Sequence, residues 1–396
     1  CRVAAQNNRG ITEGAVTPFY PTSSAVTQKA VTFQGDVAHT GRAVFGLPLA
    51  FQVAPSWQLT FPDKVSYPIV ANGLAYVIVR GSASGAYGTR LYALDLASGN
   101  TVWGPVAIGG TFYWAAQAYE NGTLFVINFD GLLRAFDAVG GTLKWSTQLP
   151  GQYSFSAAPT AQNGVVYVGG SGSGGTLYAV NASSGAVLWT RPVANGDDSS
   201  PALGDNGVYV SYPGQVYKFD PVSGAQIWHY SGSVSGGGGS TPAYFNGMLF
   251  VRDWAVNPVG AVFNTATGAK GKTFGNFNMI PIPAFGATDG YFMMYGTLQS
   301  FDPSSLGSHW SFTGDGHLVS APLVIDDVVV VGSSSGTVYA VDAASGVQKW
   351  SGQAGAAIAA PNEGAASAPL TGFAAGEGYL LVPAENKLSA WHIAGQ

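Results

Sequence analysis

One spacing limits what this chain can fold into more than any other: an Asp or Asn followed eight residues later by Trp. It appears in GTLYAVNASSGAVLWT, residues 175–190, and recurs as Asp95 to Trp103, Asp137 to Trp145, Asn181 to Trp189, Asp220 to Trp228, Asp302 to Trp310 and Asp342 to Trp350. A further copy, Asn264 to Lys272, keeps the frame without the aromatic. Alternation before the Asp and a second strand carrying Trp read as a β-hairpin, not a helix. The Asp or Asn opens the turn because its side chain accepts hydrogen bonds from N–H groups two or three residues on. Four residues later stands Gly99, Gly141, Gly185, Gly224, Gly268 or Gly346, where a positive φ is cheapest without a Cβ. In the copy ending at Trp310 that slot holds Leu306, with Gly307 one place late, which predicts an altered turn. Each Trp then turns inward and cements its repeat to the next.

The docking aromatics fall at Trp57, Trp103, Trp145, Trp189, Trp228, Trp310 and Trp350, with Lys272 in the gap, at intervals of 38 to 46 residues. A period near 40 suits four antiparallel strands with their turns. Eight such units make an all-β fold, an eight-bladed β-propeller. Trp57 belongs to a strand with no repeating hairpin before it, and the chain runs out after LSAWHIAGQ, a strand with His392 in the Asp slot. The N-terminal strand is therefore expected to complete the last blade and close the ring. A small residue two places before Pro, as at Ser66, Ala157, Ser199, Ser240, Ser320 and Ser367, marks the innermost strand, where eight chains crowd one axis. The division expected is residues 1–35 as an N-terminal tether or partner-binding extension and 36–396 as the propeller.

Bulk properties remove several functions. Only 9% of residues are charged, the net charge is −5, and no basic run suggests nucleic acid. The apolar runs are too short for a helical membrane span. The single cysteine, Cys1, excludes an internal disulfide framework. A Cys followed by the polar stretch RVAAQNNRGITEG looks like a bacterial lipoprotein after signal removal, with a lipid on Cys1 as the membrane anchor. That predicts a cell-envelope place, as an outer-membrane lipoprotein or an extracellular protein.

The repeated text, a Pro, then YVG, then GxLYALDxxSGxxxW, resembles the PQQ-like β-propeller repeat family over roughly residues 36–396. That family divides into quinoprotein dehydrogenases, which hold pyrroloquinoline quinone and calcium in the channel, and non-catalytic propellers, among them the lipoprotein of the outer-membrane β-barrel assembly machinery. Blade number, Cys1 and the lack of insertions are most similar to the second group. The enzyme group packs its quinone against vicinal cysteines, and this chain has one cysteine. The resemblance thus implies no cofactor, no metal and no catalytic residue. It implies a protein-interaction scaffold whose partners are other envelope or surface proteins; the alternative is a ligand-binding channel mouth or a quinoprotein-type oxidoreductase. Self-assembly stays open.

Residues just before each inner strand should meet at one mouth of the channel: Asp63, Lys64, Tyr113, Trp114, Tyr153, Asp197, Asp198, Asn276, Asn278, Asp315, His317, Asn362 and Glu363. Carboxylates and aromatics on one rim suit a basic peptide, a cation or a carbohydrate, although solvated loops of any propeller are polar. GSSSG at 332–336 has the spelling of a nucleophile elbow but joins two strands, so a hairpin loop is expected. Trp254, in the repeat that lacks its docking Trp, is read either as an exposed anchor or as a replacement for the missing cement.

Overall fold

The computed structural model describes residues 4–7, 10–13, 26–81, 87–196, 198–233, 239–253, 259–274, 279–364 and 366–394. Eight antiparallel sheets of the repeating kind follow one another around a ring: blade one at residues 69–109, two at 115–148, three at 160–193, four at 202–231, five at 243–274, six at 279–312, seven at 323–353 and eight at 374–392. The fourth strand of blade eight is Trp57–Thr60, paired antiparallel with Lys387–His392 in a register that sets Ala390 opposite Trp57. The ring is therefore an eight-bladed β-propeller closed between its two ends. Ala4–Asn7 and Gly10–Glu13 form a separate two-stranded sheet.

The seams between blades explain the repeat. Each indole Nε1 donates to the main-chain oxygen just past the Asp or Asn of the next blade: Trp57 to Leu96 at 2.8 Å, Trp103 to Ala138 at 3.0 Å, Trp145 to Ala182 at 2.9 Å. Trp189, Trp228 and Trp310 do the same with Pro221, Thr265 and Ala343. Trp350 reaches Gln52, because the segment before Trp57 stands in for the missing turn of blade eight. The turn glycine lies under the same ring. At Gly141, φ is +69° and a Cβ would approach the Trp103 indole to 2.6 Å. Two demands, one on φ and one on space, fall on a single position.

Leu306 corrects the expectation of an altered turn. It adopts a φ of +61°, its N–H reaches Asp302 O at 2.8 Å, and Asp302 N–H reaches Gly307 O at 2.9 Å, the same bonds that Gly99 and Asn100 make around Asp95. Leucine is accommodated there because the preceding blade has Lys272 in the Trp position, and no ring of the described residues covers the slot. Six phenylalanines, Phe245, Phe250, Phe274, Phe285, Phe292 and Phe301, pack between blades five and six, with Leu306 against them. Trp254 lies outside the described residues.

The serine two places before Pro does more than fit. Its hydroxyl accepts the N–H of the residue twelve further on in the second strand: Ser66 from Ile78 at 2.9 Å, Ser199 from Ser211 at 3.0 Å, Ser320 from Gly332 at 2.8 Å. Each ties the start of an inner strand to the strand behind it.

A strap formed by residues 28–43 lines the far mouth and touches every blade in order. Gln28 O accepts from Glu377 of blade eight, Ala30 exchanges bonds with Val70 of blade one, and Val31 O accepts from Tyr119 of blade two. Thr32 Oγ1 donates to Pro159 O, entering blade three. Val37, Ala38, Thr40 and Gly41 oxygens then accept from Leu203, Tyr244, Phe285 and Val324 of blades four to seven, at 2.7 to 2.9 Å. The strap ends as Arg42–Ala43, paired parallel with Leu323–Ile325. Inner strands are edges with unpaired N–H groups, and the strap supplies their partners. Residues 28–35, placed in the N-terminal extension on sequence grounds, are its first half.

Candidate functional site

The site is the channel itself, entered at the mouth where the inner strands begin. The strap closes its other end. Phe33 and His39 are fully buried there, His39 with Nδ1 2.7 Å from Phe33 O and Nε2 3.1 Å from Pro201 O. At Gly41 a Cβ would approach Ala284 Cβ to 2.8 Å, so glycine lets the strap lie this close to blade six.

The open mouth is crossed by the chain between blades seven and eight, residues 354–373. Glu363 Oε1 accepts from Thr241 N–H at 2.9 Å and Oε2 from the Ser240 hydroxyl at 3.2 Å, both at the entrance to blade five. A Cβ on Gly364 would lie 3.3 Å from Asp198 Oδ2 at the entrance to blade four. Ala366 O accepts from Tyr113 N–H, and Leu370 O from Tyr67 N–H. Blades four and eight are opposite in a ring of eight, so this loop spans the diameter. It also meets the strap inside: a Cβ on Gly372 would come within 3.1 Å of the Phe33 ring.

Burial sets the electrostatics. Desolvation pushes the Glu363 carboxyl up to about 7, opposed by the bonds from Thr241 and Ser240 and by the charge of Arg252. Asp198 is 7% exposed and accepts the Ser156 hydroxyl at 2.6 Å.

The remaining rim residues divide into separate groups. Asp63 lies 3.7 Å from Arg80, whose guanidinium stacks 4.3 Å from the Tyr113 ring centre, with Tyr87 beside it. Lys64 pairs with Glu385 at 3.3 Å, and both line a cavity of about 200 Å³ with Asn362 and Ala368 of the crossing loop. Asp315 makes local contacts: it accepts from His317 N–H and from the hydroxyls of Ser333 and Ser335. GSSSG is thus a hairpin loop whose hydroxyls serve Asp315. Tyr153 is 65% exposed, its hydroxyl on Gly172 O. Trp114 corrects the sequence reading: it is fully buried among side chains of blades one to three and presents nothing at the rim. Cys1, Asp197, Asn276 and Asn278 lie outside the described residues. Sequence reasoning missed Arg80 and Glu385. Each stands where an apolar strand breaks into charge, Leu74–Arg80 and just past Tyr379–Ala384, and that break was the available signal.

Pyrroloquinoline quinone with calcium is the group that the enzymes of the resembling family would hold here. Among the described residues the donors do not fit it. Phe33, Tyr67 and the crossing loop lie inside the ring, Asp198 and Glu363 are engaged by Ser156, Ser240 and Thr241, and no three described His, Cys, Asp or Glu side chains converge.

Known proteins resemble this chain along both branches. The outer membrane protein assembly factor BamB of Yersinia pestis is 23% identical over 317 residues, 72% of this chain and 76% of the relative. Tetrathionate hydrolase of Acidithiobacillus ferrooxidans is 26% identical over 217 residues, and the quinohemoprotein alcohol dehydrogenase ADH-IIG of Pseudomonas putida is 26% identical over 316. The chain spans only 42% and 38% of those two enzymes. Among solved structures, BamB of Moraxella catarrhalis superposes with a TM-score of 0.61 at 16% identity, over 87% of this chain and 99% of the other. The quinohemoprotein alcohol dehydrogenase of Comamonas testosteroni gives 0.67 at 15% identity, over 95% of this chain and 82% of the other. Residues 87–231, 173–271 and 278–395 match the family described as "Outer membrane protein assembly factor BamB". With its eight Asp-turn blades and this match over more than half its length, the chain belongs to that family of PQQ-like β-propellers.

Proposed function

We propose that this protein is a non-catalytic interaction subunit of a cell-envelope assembly, engaging other envelope proteins through the rim of its open mouth and held at the membrane by a lipid on Cys1. The observation that carries this reading is that strap and crossing loop meet inside the ring, Gly372 against Phe33, which favours outward surfaces as the means of contact. The rim surface in this reading is Asp63, Lys64, Tyr113, Tyr153, Asp315, His317 and Asn362, with exposed Tyr87 and Phe112 beside it. Asp198 and Glu363 hold the crossing loop and act on a partner only through it. Relatives named as an outer membrane assembly factor support the same assignment.

The test is photo-crosslinking from Tyr153 and Tyr113 in intact cells, followed by mass identification. Outer-membrane assembly proteins recovered from these sites, and not from a site on the strap side, are the expected result. A quinone chromophore retained after incubation with pyrroloquinoline quinone and calcium would overturn the non-catalytic part. Fatty-acid labelling that is lost in Cys1→Ser tests the anchor.

A further inference from the structure

The sequence contains six Asn-Gly pairs, beginning at Asn72, Asn121, Asn163, Asn195, Asn206 and Asn246. Such a pair can lose its side-chain amide without an enzyme. The glycine nitrogen gives up its proton and bonds to the Asn side-chain carbonyl carbon, and no Cβ stands in the way. The side-chain nitrogen leaves as ammonia from the succinimide ring so formed, and water opens that ring at either carbonyl to give Asp or isoAsp. The step needs a glycine N–H free of any acceptor, above all of a carboxylate, whose charge disfavours the amide anion. All the pairs but the last are guarded or enclosed. Gly73 N–H donates to Glu377 Oε2 at 2.6 Å, Gly122 N–H to the Tyr119 hydroxyl at 3.0 Å, and Gly164 N–H to the oxygens of Glu120 at 3.2 and 3.1 Å. Gly207 is paired with Gly204 in the ladder. Gly196 is buried, and a Cβ on it would lie 2.1 Å from Gly170 O, which leaves no room for the ring.

Asn246 and Gly247 form the loop between Ala243–Phe245 and Met248–Asp253, at φ of +47° and +76°. Gly247 O accepts from Thr265 N–H at 3.0 Å. Among the described residues nothing accepts the Gly247 N–H, and Asn246 is exposed with its amide bonded to none of them. Each guard used elsewhere fails here for its own reason. The strand end that supplies Glu120 to the turn of blade three is Gly204 before blade five, with no side chain to offer. The loop position that supplies Glu377 to blade one is Asp205, which is engaged by Thr265 Oγ1 at 3.2 Å and Lys218 at 3.7 Å. Tyr244, the counterpart of Tyr119, lies over Gly204 and stacks on Tyr209 with ring centres 6.0 Å apart. We propose that Asn246 is a site of spontaneous deamidation, hydrolysed through the succinimide ahead of the other Asn-Gly pairs. The isoAsp product lengthens the main chain by one carbon and adds a carboxylate in a turn that positive φ at both positions defines, and so loosens the inner hairpin of blade five. The turn lies beside the strap, with Tyr244 N–H on Ala38 O at 2.9 Å, so the inference stands apart from the reading of the mouth.

The experiment holds the whole folded chain in mildly alkaline buffer over days and follows every Asn-Gly peptide by liquid chromatography and mass spectrometry. These detect the exchange of NH2 for OH and separate Asp from isoAsp. Asn246 converts severalfold faster than Asn72, Asn121, Asn163, Asn195 and Asn206, and the difference closes in urea, where no guard persists. Glu120→Ala bares the Gly164 N–H and raises conversion at Asn163 severalfold, while Asn246 keeps its native rate. Conversion at Asn246 no faster than at Asn163, a difference that survives in urea, or an Asn163 rate unmoved by Glu120→Ala overturns the inference.

Discussion

Glu363 and Thr241 are 122 positions apart in the chain and joined by a 2.9 Å bond from main-chain N–H to carboxylate, which pins the crossing loop to the far side of the ring. That carboxyl is buried, and its affinity for a proton is raised from an ordinary 4.5 to about 7. Between those pH values the native chain keeps a proton that the unfolded chain has released. Stability therefore falls as pH rises through this window and levels off above it, by on the order of 3 kcal/mol for this group. Urea midpoints at pH 5 and pH 8 should differ by less in Glu363→Gln than in the native chain, where the buried Asp36 and His39 also contribute. The turn carboxylates of Asp95, Asp137, Asp220 and Asp302, held below their usual range by bonds from turn N–H groups and serines, act only in more acidic solution. A Glu363→Gln protein with the native pH slope would refute the assignment.

The glycine beneath each indole should tolerate no side chain. Gly141→Ala adds a Cβ 2.6 Å from the Trp103 ring at a φ of +69°, and about 2–4 kcal/mol should be lost. Leu306→Gly, at the seam where Lys272 replaces the docking Trp, exchanges relief of a left-handed backbone for lost packing and should change stability by less than about 1 kcal/mol. Chemical denaturation of both variants checks the contrast.

The serine before each inner strand should behave alike wherever its hydroxyl accepts an N–H. Ser199→Ala orphans the buried N–H of Ser211, and Ser320→Ala that of Gly332. Each should cost about 1–3 kcal/mol, measured as a shift in denaturant midpoint at constant slope.

Removal of residues 1–25 should leave the thermal midpoint nearly unchanged, because among the described residues the strap's bonds begin at Gln28. Removal of residues 1–41 takes away partners of inner strands in all eight blades. That variant should be recovered unfolded or aggregated, as judged by circular dichroism and size-exclusion chromatography.

The blades were legible because their cause is local and repeated. Asp at the turn, Gly beneath the ring and Trp on the outer strand each act within one repeat or its neighbour, so each leaves a fixed spacing. Closure was legible through Trp57, which carried half a repeat and required another half. The strap left no such trace. Residues 28–43 bind one blade after another through main-chain oxygens, and main-chain bonding selects no side-chain pattern. The crossing loop was hidden for a similar reason: its text, AGAAIAAPNEGAAS, carries a single carboxylate, and the partners of Glu363 are serine and threonine of a distant repeat. Trp114 was misplaced because a loop position before an inner strand was read as a rim position, while its ring folds down into the core.

The strap also dictates an order of events during synthesis. Its residues leave the ribosome before any blade exists, yet the N–H groups that hold it are spread from Val70 to Glu377. A nascent chain halted after an early blade would have only part of its strap's partners and Trp57 without a strand to join. The strap, made before the blades it binds, is thus among the last parts set in place, and a half-translated chain must wait, shielded from its neighbours, for residues still to come.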